Sequence, residues 1–181
     1  MSRELDDPAW PVRESVTEYE TSWYTGGRDR VELPDGREKD YYWAELPDAV
    51  VVVASTGDEI VFIDQYRPTI RQTQTELPAG IVEDGESYTV AGARELREET
   101  GFDPDGVSLL QEVWCSTGVL RHQRGYVFAE GLTPCERELD SNEFIEVQSV
   151  PIEDAIGTAR QRPTNDATLE GLLLAKEDGL L

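Results

Sequence analysis

Two β-branched runs lie almost end to end, at residues 50–54 and 59–64, with the turn-forming tetrapeptide Ser55-Thr56-Gly57-Asp58 between them. Branched side chains fit a pleated surface better than a helix, so the pair reads as a β-hairpin. Gln65-Tyr66-Arg67-Pro68 follows, and the proline ends the second strand. A loop over 79–86 then leads into a helix over 87–100, with Gly101 at the left-handed stop position. Upstream, aromatic-rich runs between Glu14 and Trp43 alternate with turn signals at Gly26-Gly27 and Leu33-Pro34-Asp35-Gly36. This predicts a meander of antiparallel strands after a polar, partly ordered lead-in over residues 1–15. Downstream, 107–114, 125–129 and 144–150 read as strands, and 152–160 and 167–176 as helices. Strands outnumber helices in a mixed α/β pattern without repeats. A chain of 181 residues can bury a core without disulfide or metal staples.

Charge narrows the functional classes. Asp and Glu number 38 against 16 Lys and Arg, a net charge of −22. Such a surface repels phosphate backbones and anionic lipid, so neither a nucleic acid nor a membrane is the expected partner. No apolar run reaches bilayer-spanning length and the first seven residues are polar, which favours a cytoplasmic location. Only Lys39 and Lys176 are lysines among the 16 cations, a halophilic pattern in which salt screens self-repulsion and carboxylates hold water. Cys115, Cys135 and His122, the only cysteines and histidine, cannot supply the roughly four ligands of a structural zinc site. The thiols read as filler, with a Cys–His nucleophilic pair as the alternative. Chemistry therefore falls to carboxylates and arginines.

On the helix over 87–100, a period of about 100° per residue groups Val90, Ala93 and Leu96 on an apolar face. Glu95, Glu98 and Glu99, spaced i, i+3 and i+4, gather on the other side. They repel one another, and they lie near the helix C-terminus, where the macrodipole disfavours negative charge. A solvated acidic face is one reading. The other is a hard divalent cation such as Mg²⁺ or Mn²⁺, which takes oxygen ligands and commonly bridges to substrate phosphates.

The flanks decide between them. Gly80, five residues, Glu86, seven residues, then Arg94-Glu95-Leu96-Arg97-Glu98-Glu99-Thr100-Gly101-Phe102 resembles the Nudix box in full. The resemblance implies a Nudix-type α/β/α sandwich with a mixed sheet, preceded by a small N-terminal antiparallel strand region. The corresponding division is 1–45, a dimerisation part, and 46–181, the hydrolase domain. On this reading Gly80 lets the loop turn tightly, and the carbonyl of Ala79 (or of Gly80) completes the metal shell. Glu86 and Arg94 pin loop to helix, and Gly101 closes the box. Glu95 and Glu99 are metal ligands, and Glu98 shares the metal or orients the water. Gly92, where relatives usually carry alanine, implies close packing.

The surroundings resemble the ADP-ribose diphosphatase branch, in Val31-Glu32-Leu33-Pro34-Asp35-Gly36, Gln65-Tyr66-Arg67-Pro68, Glu76-Leu77-Pro78-Ala79-Gly80, Asn142-Glu143-Phe144-Ile145-Glu146-Val147 and Pro163-Thr164-Asn165-Asp166-Ala167-Thr168. The likeness implies Mg²⁺-dependent (or Mn²⁺-dependent) hydrolysis of a small nucleoside diphosphate substrate, foremost ADP-ribose to AMP and ribose 5-phosphate, by a homodimer. Arg67 would contact the diphosphate, Glu143 or Glu98 would be the general base, and Trp23 or Trp43 would stack on adenine, core packing being the alternative for each tryptophan. Thr117 stands where this branch usually has proline, which admits other substrates such as nucleoside triphosphates or dinucleoside polyphosphates. His122 and Arg124, just beyond, either recognise a different moiety or face water. A non-catalytic nucleotide sensor is the rival outside enzymology, although such a protein would be expected to lose box carboxylates.

Overall fold

The computed structural model describes residues 9–139, 141, 143–161 and 164–181. The start of the lead-in, Asn142 and Pro163 lie outside the described residues. The chain divides into two compact units, one of residues 9–47 with Trp114–His122, the other of Asp48–Val113 with Gln123–Leu181.

In the first unit, β1 (Val12–Glu20), β2 (Thr25–Glu32) and β3 (Glu38–Glu45) form the expected antiparallel meander. The first strand starts inside the stretch read as lead-in. Gly26-Gly27 is not a turn; both residues lie within β2, and the reversal falls at residues 21–24. The Val16 carbonyl and the Trp43 ring leave no room for a Cβ at Gly27, so packing rather than turning requires glycine there. Arginines knit the sheet, with Arg28 set among Glu14, Glu18 and Asp40.

In the second unit, β4 (Ala49–Ala54), β5 (Glu59–Arg67), β6 (Gln72–Glu76) and β7 (Ala79–Ile81) precede α1 (Tyr88–Thr100). After α1 come β8 (Phe102–Asp103) and β9 (Gly106–Trp114). The short strand β10 (Leu120–Arg121) runs parallel to β3 in the first unit. The second unit resumes with β11 (Gln123–Glu130), β12 (Thr133–Pro134), β13 (Ile145–Pro151), α2 (Ile152–Ala159) and α3 (Asp166–Glu177). One sheet has the order β7-β4-β11-β9 and mixes directions, since β11 runs parallel to β4 and β7 antiparallel to it. Another has the order β13-β5-β6 and is antiparallel.

The expected hairpin between the β-branched runs does not form. Both edges of β4 are taken by β7 and β11, and both edges of β5 by β6 and β13. Only the bridge Ser55↔Ile60 is left between the runs. Residues 79–81, read as loop, are strand for the same reason: β4 offers them an open edge.

Period-two alternation along β4 builds the sandwich. Val50 and Val52 pack with Ala91 and Leu96 of α1, whereas Val51 and Val53 pack with Ala155 of α2 and Leu172 of α3. Each valine removed from water contributes about 2 kcal/mol. Helices therefore cover both faces of one mixed sheet, the α/β/α arrangement expected.

Candidate active site

Helix α1 starts where Ser87 Oγ accepts the Val90 N–H at 3.3 Å and stops at Gly101, whose φ is 75°. Its buried face differs from the expected one. Val90 is 55% exposed, and the helix turns Ala91, Gly92, Leu96 and Glu99 inward. The small residues let α1 lie close on the sheet, and that rotation carries a glutamate into the interior.

Glu99 is only 2% exposed, and its Oε2 accepts the Ala79 N–H at 3.0 Å. Among the described residues no arginine or lysine makes an ion pair with it. Burial pushes its pKa up to about 8, opposed by the Ala79 hydrogen bond and reinforced by the charges of Glu95 and Glu143. Burial also raises the pKa of Glu95, against the pull of Arg94.

Gly80 sits beside Glu95. It lies in β7 opposite Val50 rather than in a tight turn, and a Cβ there would fall on the Glu95 carboxylate. Close approach, not turning, is why the position needs glycine.

Arg94 gathers the surrounding groups. Its Nε and Nη2 donate to the two oxygens of Glu86 at 3.0 and 2.9 Å, and Nη2 also reaches the Ile81 carbonyl at 2.8 Å. Nη1 lies between Glu95 Oε1 at 2.8 Å and Glu98 Oε2 at 3.0 Å. One planar guanidinium thus ties the loop, β7 and the acidic helix together.

From the other sheet, Arg67 at the end of β5 presents Nε and Nη2 to the buried carboxylate of Glu76 on β6. Burial works against its charge, but the hydrogen bonds and charge of Glu76, together with the charges of Glu99 and Glu143, outweigh it and raise its pKa. The charge of Arg67 in turn opposes the rise in the pKa of Glu99.

Among the described residues no three Asp, Glu, His or Cys side chains form a ready metal cluster. The donor set nonetheless suits a hard cation. Glu99 is a buried carboxylate that makes no ion pair among the described residues, and Gly80 keeps the space around Glu95 clear. Oxygen ligands from Glu95, Glu98, Glu99 and the Ala79 peptide are of the type that Mg²⁺ and Mn²⁺ prefer.

The two tryptophans belong to the first unit. Trp43 donates from Nε1 to Asp29 at 3.0 Å, and the guanidinium of Arg121 lies 3.9 Å from its ring centre. Trp23, beyond β1, is 65% exposed. Thr117 is an exposed turn residue. His122 Nδ1 meets the Pro47 carbonyl at 2.7 Å, and the cysteines form no disulfide. Arg124 donates to the Tyr126 hydroxyl at 3.1 Å beside Asp166 and Glu170, a local network rather than an open cation.

Sequence reasoning passed over two residues. Glu76 was visible only as part of a run, though an acid leading directly into Leu-Pro-Ala-Gly is itself a signal. Thr168, 91 positions from the peptide it contacts, likewise stood out only as the end of the run at 163–168.

Comparison with known proteins matches residues 45–172 to the NUDIX domain family. The chain belongs to the Nudix family. It is 36% identical over 140 residues to the ADP-ribose pyrophosphatase of Bacillus subtilis, covering 76% of each chain. It is 32% identical over 142 residues to the methanol dehydrogenase activator of Bacillus methanolicus, covering 77% of each. A solved structure described as that of an ADP compounds hydrolase superposes with a TM-score of 0.83, covering 95% of this chain and 97% of that one at 21% identity. That likeness confirms the Nudix fold. Among the described residues no helix of this Nudix protein is long and apolar enough to cross a membrane.

Proposed function

We infer that this Nudix protein hydrolyses the diphosphate bond of ADP-ribose or a related ADP-sugar, giving AMP and ribose 5-phosphate from ADP-ribose. The observation that carries this reading is the buried Glu99 carboxylate, which accepts the Ala79 N–H and makes no ion pair among the described residues, on the same helix as Glu95, whose carboxylate lies against Gly80. Arg67, held by Glu76, supplies a cation for the diphosphate, and Glu143 is a candidate base beyond the box. The ADP-ribose pyrophosphatase of Bacillus subtilis adds support through its similarity over most of the chain.

Mg²⁺, or Mn²⁺ in its place, would be held by Glu95, Glu98, Glu99 and the Ala79 carbonyl, and when bound it supplies positive charge against the diphosphate oxygens. Arg67, steadied by Glu76, binds the diphosphate. Glu143 or Glu98 takes a proton from a water molecule whose oxygen attacks one phosphorus. The bond from that phosphorus to the bridging oxygen breaks, and the bridging oxygen leaves on the other phosphate. Glu86, Arg94, Gly80 and Gly101 keep loop and helix in place. Either Trp23 or Trp43 stacks on the adenine; the exposure of Trp23 favours it.

The first unit, centred on residues 1–45, serves as a dimerisation part attached to the hydrolase domain at 46–181. Its exposed Trp10, Val12, Tyr19 and Tyr42 support a homodimer. The composition supports a cytoplasmic protein of a salt-rich interior.

Turnover of purified protein in molar KCl with Mg²⁺, offered ADP-ribose beside other nucleotide sugars, dinucleoside polyphosphates and nucleoside triphosphates, tests the reading by product identity. AMP with ribose 5-phosphate, lost in Glu99→Gln, is the expected result. Thr117 favours a second reading, another nucleoside diphosphate derivative, which preferential turnover of that compound would establish. Tight nucleotide binding without turnover would instead make the protein a sensor.

A further inference from the structure

The segment from Glu76 to Ala79 is held at every residue, each time by a different element. Glu76 grips Arg67 of β5. The Leu77 N–H donates to Thr168 Oγ1 on α3 at 3.1 Å. The Pro78 carbonyl accepts the Val52 N–H of β4 at 2.9 Å, and the Ala79 N–H donates to Glu99 of α1 at 3.0 Å. Three of these anchors belong to the acidic site or to the sheet beneath it. The fourth belongs to a helix near the end of the chain that supplies none of the proposed catalytic groups.

That fourth contact is built with some care. Thr168 and Leu77 are both about 1% exposed, so the hydrogen bond is shielded from water. The Thr168 N–H is itself held by the cap of α3, donating to Asn165 Oδ1 at 3.1 Å. Three residues on, Gly171 lies directly under Leu77, since a Cβ there would stand 3.0 Å from Leu77 Cδ1. Helix α3 therefore holds Leu77 by backbone and by side chain at once. A buried N–H deprived of its acceptor is costly, so the peptide would shift to find another partner. Two residues along, that shift reaches the Ala79 peptide, whose N–H bonds Glu99.

We propose that Thr168 is a positioning residue of the diphosphate site, fixing through Leu77 the placement of the Ala79 peptide against Glu99. The inference rests on the functional reading above, in which Ala79 and Glu99 serve the cation. Groups that orient ligands in this way affect metal affinity or activity roughly 10- to 100-fold when removed.

The test uses the full-length protein and Mn²⁺ alone, with free Mn²⁺ followed by its electron paramagnetic resonance signal. Thr168→Val keeps the shape and removes the acceptor; Thr168→Ser keeps the acceptor and trims a methyl. The expected result is an Mn²⁺ Kd raised about 10-fold in Thr168→Val and returned to the wild-type value in Thr168→Ser. The kcat lost at limiting Mn²⁺ should be recovered at saturating Mn²⁺ in the valine variant. Thermal melts in the same buffer report folding. A valine variant that is less stable yet binds Mn²⁺ as the wild type does would overturn the proposal, and so would a serine variant that fails to restore affinity. Glu99→Gln separates the two levels of the argument. If it binds Mn²⁺ normally, the functional reading of the site falls and this proposal falls with it. If it loses Mn²⁺ while Thr168→Val does not, only the role of Thr168 is wrong.

Discussion

Gly80 lies so close to Glu95 that a single methyl group on its α-carbon would occupy the place of the glutamate's carboxylate. The contact joins β7 to α1 and needs no unusual backbone, since Gly80 is an ordinary strand residue paired with Val50. Gly80→Ala should therefore displace Glu95 without unmaking the fold. The expected outcome is a far-UV spectrum like that of the wild type with divalent-cation affinity lowered roughly 10- to 100-fold. Calorimetric titration with Mg²⁺ beside circular dichroism checks it, and unchanged affinity would remove Glu95 from the proposed ligands.

Glu99 makes the site pH-dependent in a defined direction. Its folded pKa of about 8 lies above its ordinary value of 4.5, so between those limits the folded protein holds a proton that the unfolded chain has released. Stability from this group is complete below pH 4.5 and declines as pH rises towards 8, by up to about 1.4 kcal/mol per pH unit. Urea titrations of metal-free protein between pH 5.5 and 8.5 should show this decline in the wild type and a shallower one in Glu99→Gln. Cation binding near pH 7 should also release protons, seen as a buffer-dependent binding enthalpy. Equal slopes in the two proteins would show that Glu99 does not carry the titration.

Arg67 depends on Glu76 in a way that separates binding from chemistry. Glu76 is 3% exposed, whereas the Arg67 side chain is about one-third exposed, so solvent moderates the loss of the pair. Glu76→Gln should cost about 1 to 2 kcal/mol of stability, less than the breaking of a fully buried pair. It should also let the guanidinium wander, raising KM for the diphosphate substrate more than it lowers kcat. Steady-state kinetics at saturating Mg²⁺ make the comparison; a fall confined to kcat would contradict a binding role for Arg67.

Local chemistry explains which parts of this molecule could be read in advance. The stop at Gly101, the strand end before Pro68 and the helices near the C-terminus depend on one or two adjacent residues, and they are where the sequence puts them. Partnership is another matter. β-branching marks residues 50–54 and 59–64 as strands but does not say which edges they offer, and β7 and β11 outcompete β5 for β4. The inward face of α1 is not the one that hydrophobic periodicity alone selects. A small-residue seam at Ala91 and Gly92 sets the helix against the sheet, exposing Val90 and burying Glu99. Within the candidate site, the box spacing makes Glu95, Glu98 and Glu99 neighbours on any helix. The hold of Thr168 on Leu77 spans 91 positions and exists only once α3 has docked.

That seam makes a prediction of its own. A Cβ at Gly92 would stand 2.7 Å from Val127 Cγ2 and 3.4 Å from Val50 and Val52. Alanine is the better helix former by about 1 kcal/mol, but overpacking against the sheet costs typically 1 to 3 kcal/mol. Gly92→Ala should therefore lower stability by about 1 kcal/mol overall and move Glu99 outward. Chemical denaturation gives the first quantity, and a loss of the pH-dependent slope described for Glu99 gives the second. A more stable variant would show that the sheet yields at Val127.

Salt should act on the whole molecule. With a net charge of −22, the folded chain concentrates more repulsion than the expanded one, and ions shorten its range from about 10 Å at 0.1 M to about 3 Å at 1 M. Close pairs such as Arg28 with Glu14 and Arg94 with Glu86 lose little by comparison, because their separations of 2.9 Å are no greater than the screening distance. The net effect of added KCl is stabilising. A gain of about 3 kcal/mol, or roughly 10 °C in Tm for a chain of this size, is expected between 0.1 and 2 M. Differential scanning calorimetry at pH 7 measures it, with betaine at equal osmolality as the control for exclusion from the surface. If betaine raises Tm as much as KCl does, screening is not the cause; a flat response to both would mean that the acidic surface is not an adaptation to salt.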